Sequence, residues 1–535
     1  MKSIKKFLAV ILSMTLMLTL GTAAFGAQKT LPSGKDTGSI NVTNLKPGDT
    51  VTAYQFVKAD YNEYGFTGYS AINNYVKDPV APTAQEVIDM ASNAATMTVA
   101  AEKKVATGDT EVTLNGLPVG YYLVMVTSGS ETVYSPMIAG IYYSKSATDN
   151  TLTNGAISAD SDFEIKAQKC WAKSSTPKLE KTIVTPSSKN SKGDDIAIGD
   201  KITFNLSATV PSYSKEYKKV TYKIYDIMSE GLDYVDGSMK CFIEKYENNR
   251  ENIKVTPKVN GGIIEITFDS KFILEHPGQK IQVEYQAKLN EKAGVNFDAN
   301  INKAYLEYSN NPASGSTAKT SEDKVYVYTF GIDSNLFGKS TEKWNEKTKE
   351  LIKVEEGEYQ WVETEKESGI FTTTTALEGA TFTLTNNKTK KSYTATSDKY
   401  GYLKFTGLDA GEYTLQETDA PDGFTLNDAK HTVVITAEYN QDGTLKSYTI
   451  KIDDKATSTY TATYDKGVVK TITSTKDSQG NISESAILKN SKMSFLPSTG
   501  GVGTTIFAIV GVVFVAVALG LHMILRGKSK LEQDR

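Results

Sequence analysis

Two stretches of this 535-residue chain alternate apolar and polar positions without a break. One places Ile202, Phe204, Leu206, Ala208 and Val210 on one side of the chain, and the other does the same with Ile281, Val283, Tyr285, Ala287 and Leu289. A period of two marks a strand with one buried face; helical apolar positions recur every three or four residues instead. Turn signals at Gly199-Asp200, Gly231 and Pro277-Gly278 punctuate the runs. Thirty tyrosines and abundant threonine point the same way, because aromatic and β-branched side chains suit a pleated surface. The sequence therefore predicts an all-β protein of tandem immunoglobulin-like β-sandwich domains rather than a parallel α/β sheet.

An internal repeat organises the chain. Gly116-Leu117-Pro118-Val119-Gly120-Tyr121-Tyr122-Leu123-Val124 returns downstream as Gly407-Leu408-Asp409-Ala410-Gly411-Glu412-Tyr413-Thr414-Leu415. Both phrases read as a tight glycine turn entering a strand, which predicts related sandwiches at the two ends of the folded region. The expected domains are 28–170, 171–328 and 329–495. One short helix is expected in the first, where Thr83-Ala84-Gln85-Glu86 ahead of Val87 and Ile88 forms a capping box.

The two ends are not sandwich sequence. Residues 1–27 combine Lys2, Lys5 and Lys6, an apolar block from Phe7, and small residues at Ala23, Ala24, Gly26 and Ala27. That is a signal peptide, with cleavage expected near Gly26 or Ala27. Residues 506–525 carry no formal charge and are long enough for a transmembrane helix. Arg526, Lys528, Lys530 and Arg535 follow, so the positive-inside bias puts the tail in the cytoplasm and the body of the chain outside.

Charge and rare residues exclude several functions. A net charge of −4 leaves no basic footprint for nucleic acid. Three histidines, His276, His431 and His522, supply neither a Ser-His-Asp set nor a metal site, so no cofactor or metal is expected and a secreted hydrolase is disfavoured. Only Cys170 and Cys241 are available to a chain that lives in an oxidising exterior. They leave one disulfide open, but disulfides cannot be the main reinforcement.

Leu496-Pro497-Ser498-Thr499-Gly500, the apolar span and the basic tail together make residues 496–535 resemble the sorting signal of sortase-processed Gram-positive surface proteins. That resemblance implies that a sortase cysteine attacks the Thr499 carbonyl, releases the segment from Gly500 onward, and passes the acyl group to an amine. The membrane span is then a temporary hold.

Further upstream, Tyr413-Thr414-Leu415-Gln416-Glu417-Thr418-Asp419-Ala420-Pro421-Asp422-Gly423-Phe424 resembles the E-box of Gram-positive pilins. The third domain is similar to collagen-adhesin B-type modules and the middle domain to the fimbrial isopeptide-forming family. The chain thus resembles the shaft subunits of sortase-assembled pili, which imply an internal Lys-Asn isopeptide bond. Such a bond needs a lysine held neutral by burial, an asparagine facing it, and a protonated acid beside the carboxamide.

Strand alternation tests that expectation. Lys181 shares a face with Leu179 and Ile183, Asn302 with Ala304 and Leu306, and Asp226 with Tyr222 and Ile224. The resemblance implies that Lys181, Asn302 and Asp226 act as nucleophile, electrophile and acid, tying the middle domain from first strand to last. In the third domain Glu417 falls with Tyr413 and Leu415, and Asn490 with Ala486 and Leu488. The matching lysine is Lys339, with Lys343 as an alternative. Registering the repeat puts Val126 where Glu417 stands, so no such bond is expected in the first domain.

In shaft subunits the lysine that accepts the sortase acyl group follows a proline between the first two domains. Here that segment is Thr176-Pro177-Lys178-Leu179, with Lys178 alternating outward and Lys173 or Lys181 as fallbacks. The expected partners are a pilus-specific sortase, further copies of the chain, minor pilins, peptidoglycan at the fibre base and, transiently, the membrane. The expected role is structural, not enzymatic, at the cell wall of a Gram-positive bacterium. The competing role is a monomeric wall-anchored adhesin or basal pilin that never uses Lys178.

Overall fold

The computed structural model describes residues 31–490 except 129–130, 146–155, 159–162, 185–189, 247–248, 333–337, 346–348, 354–358, 364–370, 400, 402, 454–455 and 476–486; between 338 and 376 it describes only strand backbone. The signal peptide, the sorting motif and the apolar span at 506–525 lie outside the described residues. Within them, no helix is long and apolar enough to cross a membrane. The architecture is almost entirely β, as the alternation requires.

In the first sandwich, strand Thr37–Thr43 pairs antiparallel with Glu111–Pro118 and parallel with Lys169–Trp171. A second sheet runs Gly65–Ala71, Thr50–Asn62, Gly120–Thr127, Met137–Ser144, Glu164–Ala167. Helix Ala84–Ser92 starts at a complete capping box between Thr83 and Glu86 and buries Val87, Met90 and Ala91 against Phe56 and Leu123.

The middle sandwich stacks two sheets. One has Leu179–Ile183, Lys201–Thr209, Lys280–Leu289, Lys240–Tyr246 and Asn249–Ile253 in that order. The other has Gly193–Asp195, Asp323–Tyr328, Asn300–Asn311, Tyr222–Met228, Ile263–Thr267 and Lys258–Asn260. Ile202, Phe204, Leu206, Val283 and Tyr285 fill the space between them.

A seven-stranded sheet dominates the third domain, with Thr381–Asn386, Gly411–Asp419 and Lys430–Tyr439 adjacent. A five-stranded sheet holds Gly338–Asn345 beside Ile487–Asn490. Phe330 and Ile332 join this core, and Phe297, Tyr326 and Tyr328 pack onto it from the middle domain.

The repeated phrase has one structural meaning in both places. Gly116 and Gly407 adopt φ of 70° and 77°, a left-handed turn that a side chain would strain. Beyond each turn a tyrosine hydroxyl donates back to a carbonyl four residues earlier: Tyr122 to Pro118 at 2.5 Å, and Tyr413 to Asp409 at 2.8 Å. Each bond pins the turn to the strand it enters, in the manner of a tyrosine corner.

Candidate functional site

Lys181 sits at the centre of strand Leu179–Ile183, and its side chain is completely buried between two exposed neighbours, Glu180 and partly Thr182. It enters the middle core from one sheet. Asp226 and Asn302 enter from the other, on antiparallel strands in which Asp226 pairs with Ala304 and Met228 with Asn302. They are diagonal neighbours on one face. Both are fully buried.

The Lys181 ammonium bonds one carboxylate oxygen of Asp226. The second, Oδ1, accepts from the Tyr285 hydroxyl at 2.7 Å. That hydroxyl also accepts from Lys181 Nζ at 3.1 Å and from Asn302 Nδ2 at 2.7 Å. Phe204 and Tyr285 close over Nζ, with ring centroids 5.0 and 5.3 Å away. Asn302 Oδ1 is buried without a hydrogen-bond partner.

Burial pulls the Lys181 amine below the ordinary lysine range, and the Asp226 charge opposes that shift. A separated ammonium and carboxylate both lose hydration here. Lys181 Nζ and the Asn302 carboxamide nitrogen thus meet at one hydroxyl, that of Tyr285.

Two residues absent from the sequence expectations brace the lysine. Asp323 Oδ2 accepts from the Lys181 backbone N–H at 2.7 Å, and Lys192 Nζ bridges Asp323 at 2.6 Å and the Lys181 carbonyl at 2.7 Å. Tyr285 is a third omission. Its position within an alternating core run announced a buried side chain, but a hydroxyl on that face was the available signal of polar work.

The strap expected to run from first strand to last is placed differently. Asn302 lies on Asn300–Asn311, and two strands follow it, Ser316–Lys319 and Asp323–Tyr328. Asp323–Tyr328 pairs parallel with Gly193–Asp195, carries the chain into the third domain and meets Lys181 through Asp323, while Asn302 stands on the strand before it.

In the third domain Glu417 is buried and accepts from the Asn427 N–H at 2.7 Å. Strands Gly338–Asn345 and Ile487–Asn490 run parallel, with Lys339 opposite Leu488 and Thr341 opposite Asn490. Lys339 and Lys343 each stand two positions from Thr341, so the register ranks neither first. The side chains of Lys339, Lys343 and Asn490 lie outside the described residues.

Val126 occupies the corresponding first-domain position and is buried. Lys178 is exposed between buried Pro177 and Leu179. Just before it, Ser174–Ser175 pairs with Val133–Tyr134, and Thr176 Oγ1 contacts Lys46 Nζ at 3.1 Å, so the linker is held against the first domain. Lys173 is also exposed. The two cysteines do not pair: Cys170 lies in the first core and Cys241 in the middle core, both free. The disulfide left open by the sequence fails because separate sandwiches enclose its halves. Among the described residues no cluster of potential ligands is arranged to hold a metal.

Three family descriptions match this sequence: a T6 antigen Ig-like domain over residues 35–174, a SpaA prealbumin-like fold domain over 370–453, and an LPXTG cell wall anchor motif over 489–530. The trypsin-resistant surface T6 protein of Streptococcus pyogenes serotype M6 is 26% identical over 549 aligned residues, 93% of this chain and 96% of that protein. The solved T6 backbone pilin of serotype M6 shares the fold with a TM-score of 0.56 at 20% identity, covering 86% of this chain and 100% of its own. The full-length major pilin SpaD of Corynebacterium diphtheriae covers 88% and 100% at a TM-score of 0.47 and 16% identity. Along nearly its whole length, then, this chain is similar to the T6 surface protein of Streptococcus pyogenes and shares the fold of the T6 backbone pilin, with a prealbumin-like match in its third domain and an LPXTG cell wall anchor motif.

Proposed function

We propose that this chain is the shaft-forming subunit of a sortase-assembled surface pilus on a Gram-positive bacterium. Sortase joins Thr499 of one copy to Lys178 of the next, and the fibre base is passed to peptidoglycan. Minor pilins attach to the same shaft. The exposure of Lys178 on a linker fixed by its neighbours supports its role as acceptor, because an intermolecular nucleophile must be reachable and held in place. The similarity to a T6 surface protein over 93% of this chain supports the assignment.

A shaft under tension needs reinforcement that two unpaired buried cysteines do not supply. Each copy instead makes its own amide. Asp226 takes the Lys181 proton, the neutral amine attacks Asn302 Cγ, the Cγ–Nδ2 bond breaks, and ammonia leaves. The reaction happens once per molecule. One observation carries this reading: a completely buried lysine paired with a buried acid, facing a carboxamide whose oxygen is unpartnered. Glu417 and Asn490, with Lys339 or Lys343, form the corresponding set in the third domain.

Intact mass spectrometry of the secreted ectodomain tests the cross-links. The expected mass falls short of the sequence value by two ammonia molecules, with both linkages outside the first domain. A mass equal to the sequence value rejects them.

A further inference from the structure

Building on the cross-linking reading above, we infer that the Tyr285 phenol is a catalytic group of that reaction, shuttling a proton from the attacking nitrogen to the departing one. The geometry that carries this is a single oxygen within hydrogen-bond reach of both nitrogens. Tyr285 OH lies 3.1 Å from Lys181 Nζ and 2.7 Å from Asn302 Nδ2. Nζ must lose a proton once it bonds Cγ, and Nδ2 must gain one before it leaves as ammonia.

Asp226 does not reach the carboxamide itself. Its oxygens are engaged by Lys181 Nζ and by the Tyr285 hydroxyl, and among the described residues no hydrogen bond joins it to Asn302. The acid and the amide meet only through the phenol. Asp226 therefore prepares the nucleophile by accepting the first ammonium proton, and a different group must serve the leaving nitrogen. Burial and the neighbouring carboxylate hold the Tyr285 phenol well above its ordinary pKa, so it keeps a proton to give.

The balance closes without another reactant. As Nζ–Cγ forms, Nζ gives a proton to the phenol oxygen, and the phenol gives its own to Nδ2. The Cγ–Nδ2 bond then breaks with its electron pair on nitrogen, releasing ammonia. The phenol is regenerated, Asp226 ends protonated, and the new amide retains one N–H. Phe204 fixes the ring that performs the transfer, with centroids 5.5 Å apart.

Cell-free synthesis of the full chain provides a starting time for the test. Samples are digested at intervals, and the peptide joining Lys181 to Asn302 is quantified by mass. Tyr285→Phe preserves the ring and removes only the hydroxyl. The expected result is linkage slowed by at least about a hundredfold, the usual scale of a lost acid-base group. Far-ultraviolet circular dichroism of Tyr285→Phe in a Lys181→Met background, where no link forms, should match that of Lys181→Met alone; loss of the strand signal in that background assigns the tyrosine a structural role and overturns the inference. As a second measurement, wild-type linkage in heavy water should slow, and Tyr285→Phe should lose that isotope dependence. Equal rates for Tyr285→Phe and wild type overturn the inference while leaving the cross-link intact. Absence of the linked peptide from the wild type rejects the reading on which the inference rests.

Discussion

Lys181 and Asp226 form an ion pair across the middle sandwich with no solvent exposure of either side chain. Such a pair is a poor stabiliser, because desolvation offsets most of the attraction. Its presence in a core otherwise filled by Phe204, Leu206, Val283 and Ile224 is what the proposed cross-linking reaction requires. In the proposed amide the lysine nitrogen would carry no positive charge.

Removing one member of this pair should therefore hurt more than removing both. Asp226→Ala strands Lys181 in the core, whereas Lys181→Met with Asp226→Leu leaves no buried charge. Neither variant can cross-link, so the loop-closure contribution cancels. Urea titration should show the double variant more stable by about 3–5 kcal/mol. Equal midpoints would mean that water reaches the lysine.

A Lys181–Asn302 link would close a loop of more than a hundred residues and constrain the unfolded chain by on the order of 5 kcal/mol. In the third domain the lysine is decided by mass. Lys339→Ala should restore the third-domain ammonia, and Lys343→Ala should leave it lost. The reverse outcome moves the role to Lys343.

Both thiols should be inert in the native protein. Burial pushes Cys170 and Cys241 up to about 12, far from a reactive thiolate at neutral pH. Maleimide should label neither without denaturant and both with it. Native labelling of Cys241 would indicate that the middle core opens.

The junction between the middle and third domains should tighten on mild acidification. Asp195 accepts from Tyr439 OH at 2.6 Å and from the Ala410 N–H at 2.5 Å. Desolvation pushes its carboxyl up to about 6, Asp194 and Asp409 add to that shift, and the two hydrogen bonds oppose it. A raised acid binds its proton more tightly in the folded state. The contribution is thus complete below the ordinary aspartate range and is lost as pH rises through about 6. Hydrogen exchange at Ala410 should slow between pH 7 and 5 after correction for the intrinsic rate, and Asp195→Asn should abolish that dependence.

What the sequence disclosed follows from the range of the interactions involved. Strand periodicity is local, so the alternation around Lys181, Asp226 and Asn302 exposed their shared burial before any fold was known. The glycine turns at Gly116 and Gly407 were equally legible, because positive φ is a property of a few consecutive residues. The brace of Lys192 and Asp323 was not, since its members are separated by most of a domain and each resembles a surface charge. Tyr285 was hidden in plain view: a tyrosine in an apolar run reads as packing, and the partners of its hydroxyl depend on three other strands. The fate of Cys170 and Cys241 likewise depended on which sandwich each strand entered.

The most direct test of the shaft assignment is peptide mapping of fibres released from the cell wall. Such fibres should yield a branched peptide in which the Thr499 carboxyl, freed from Gly500, is joined to the side chain of Lys178, and a high-molecular-weight ladder that disappears in Lys178→Ala. A ladder that survives Lys178→Ala, or Thr499 found joined only to peptidoglycan, would contradict that assignment.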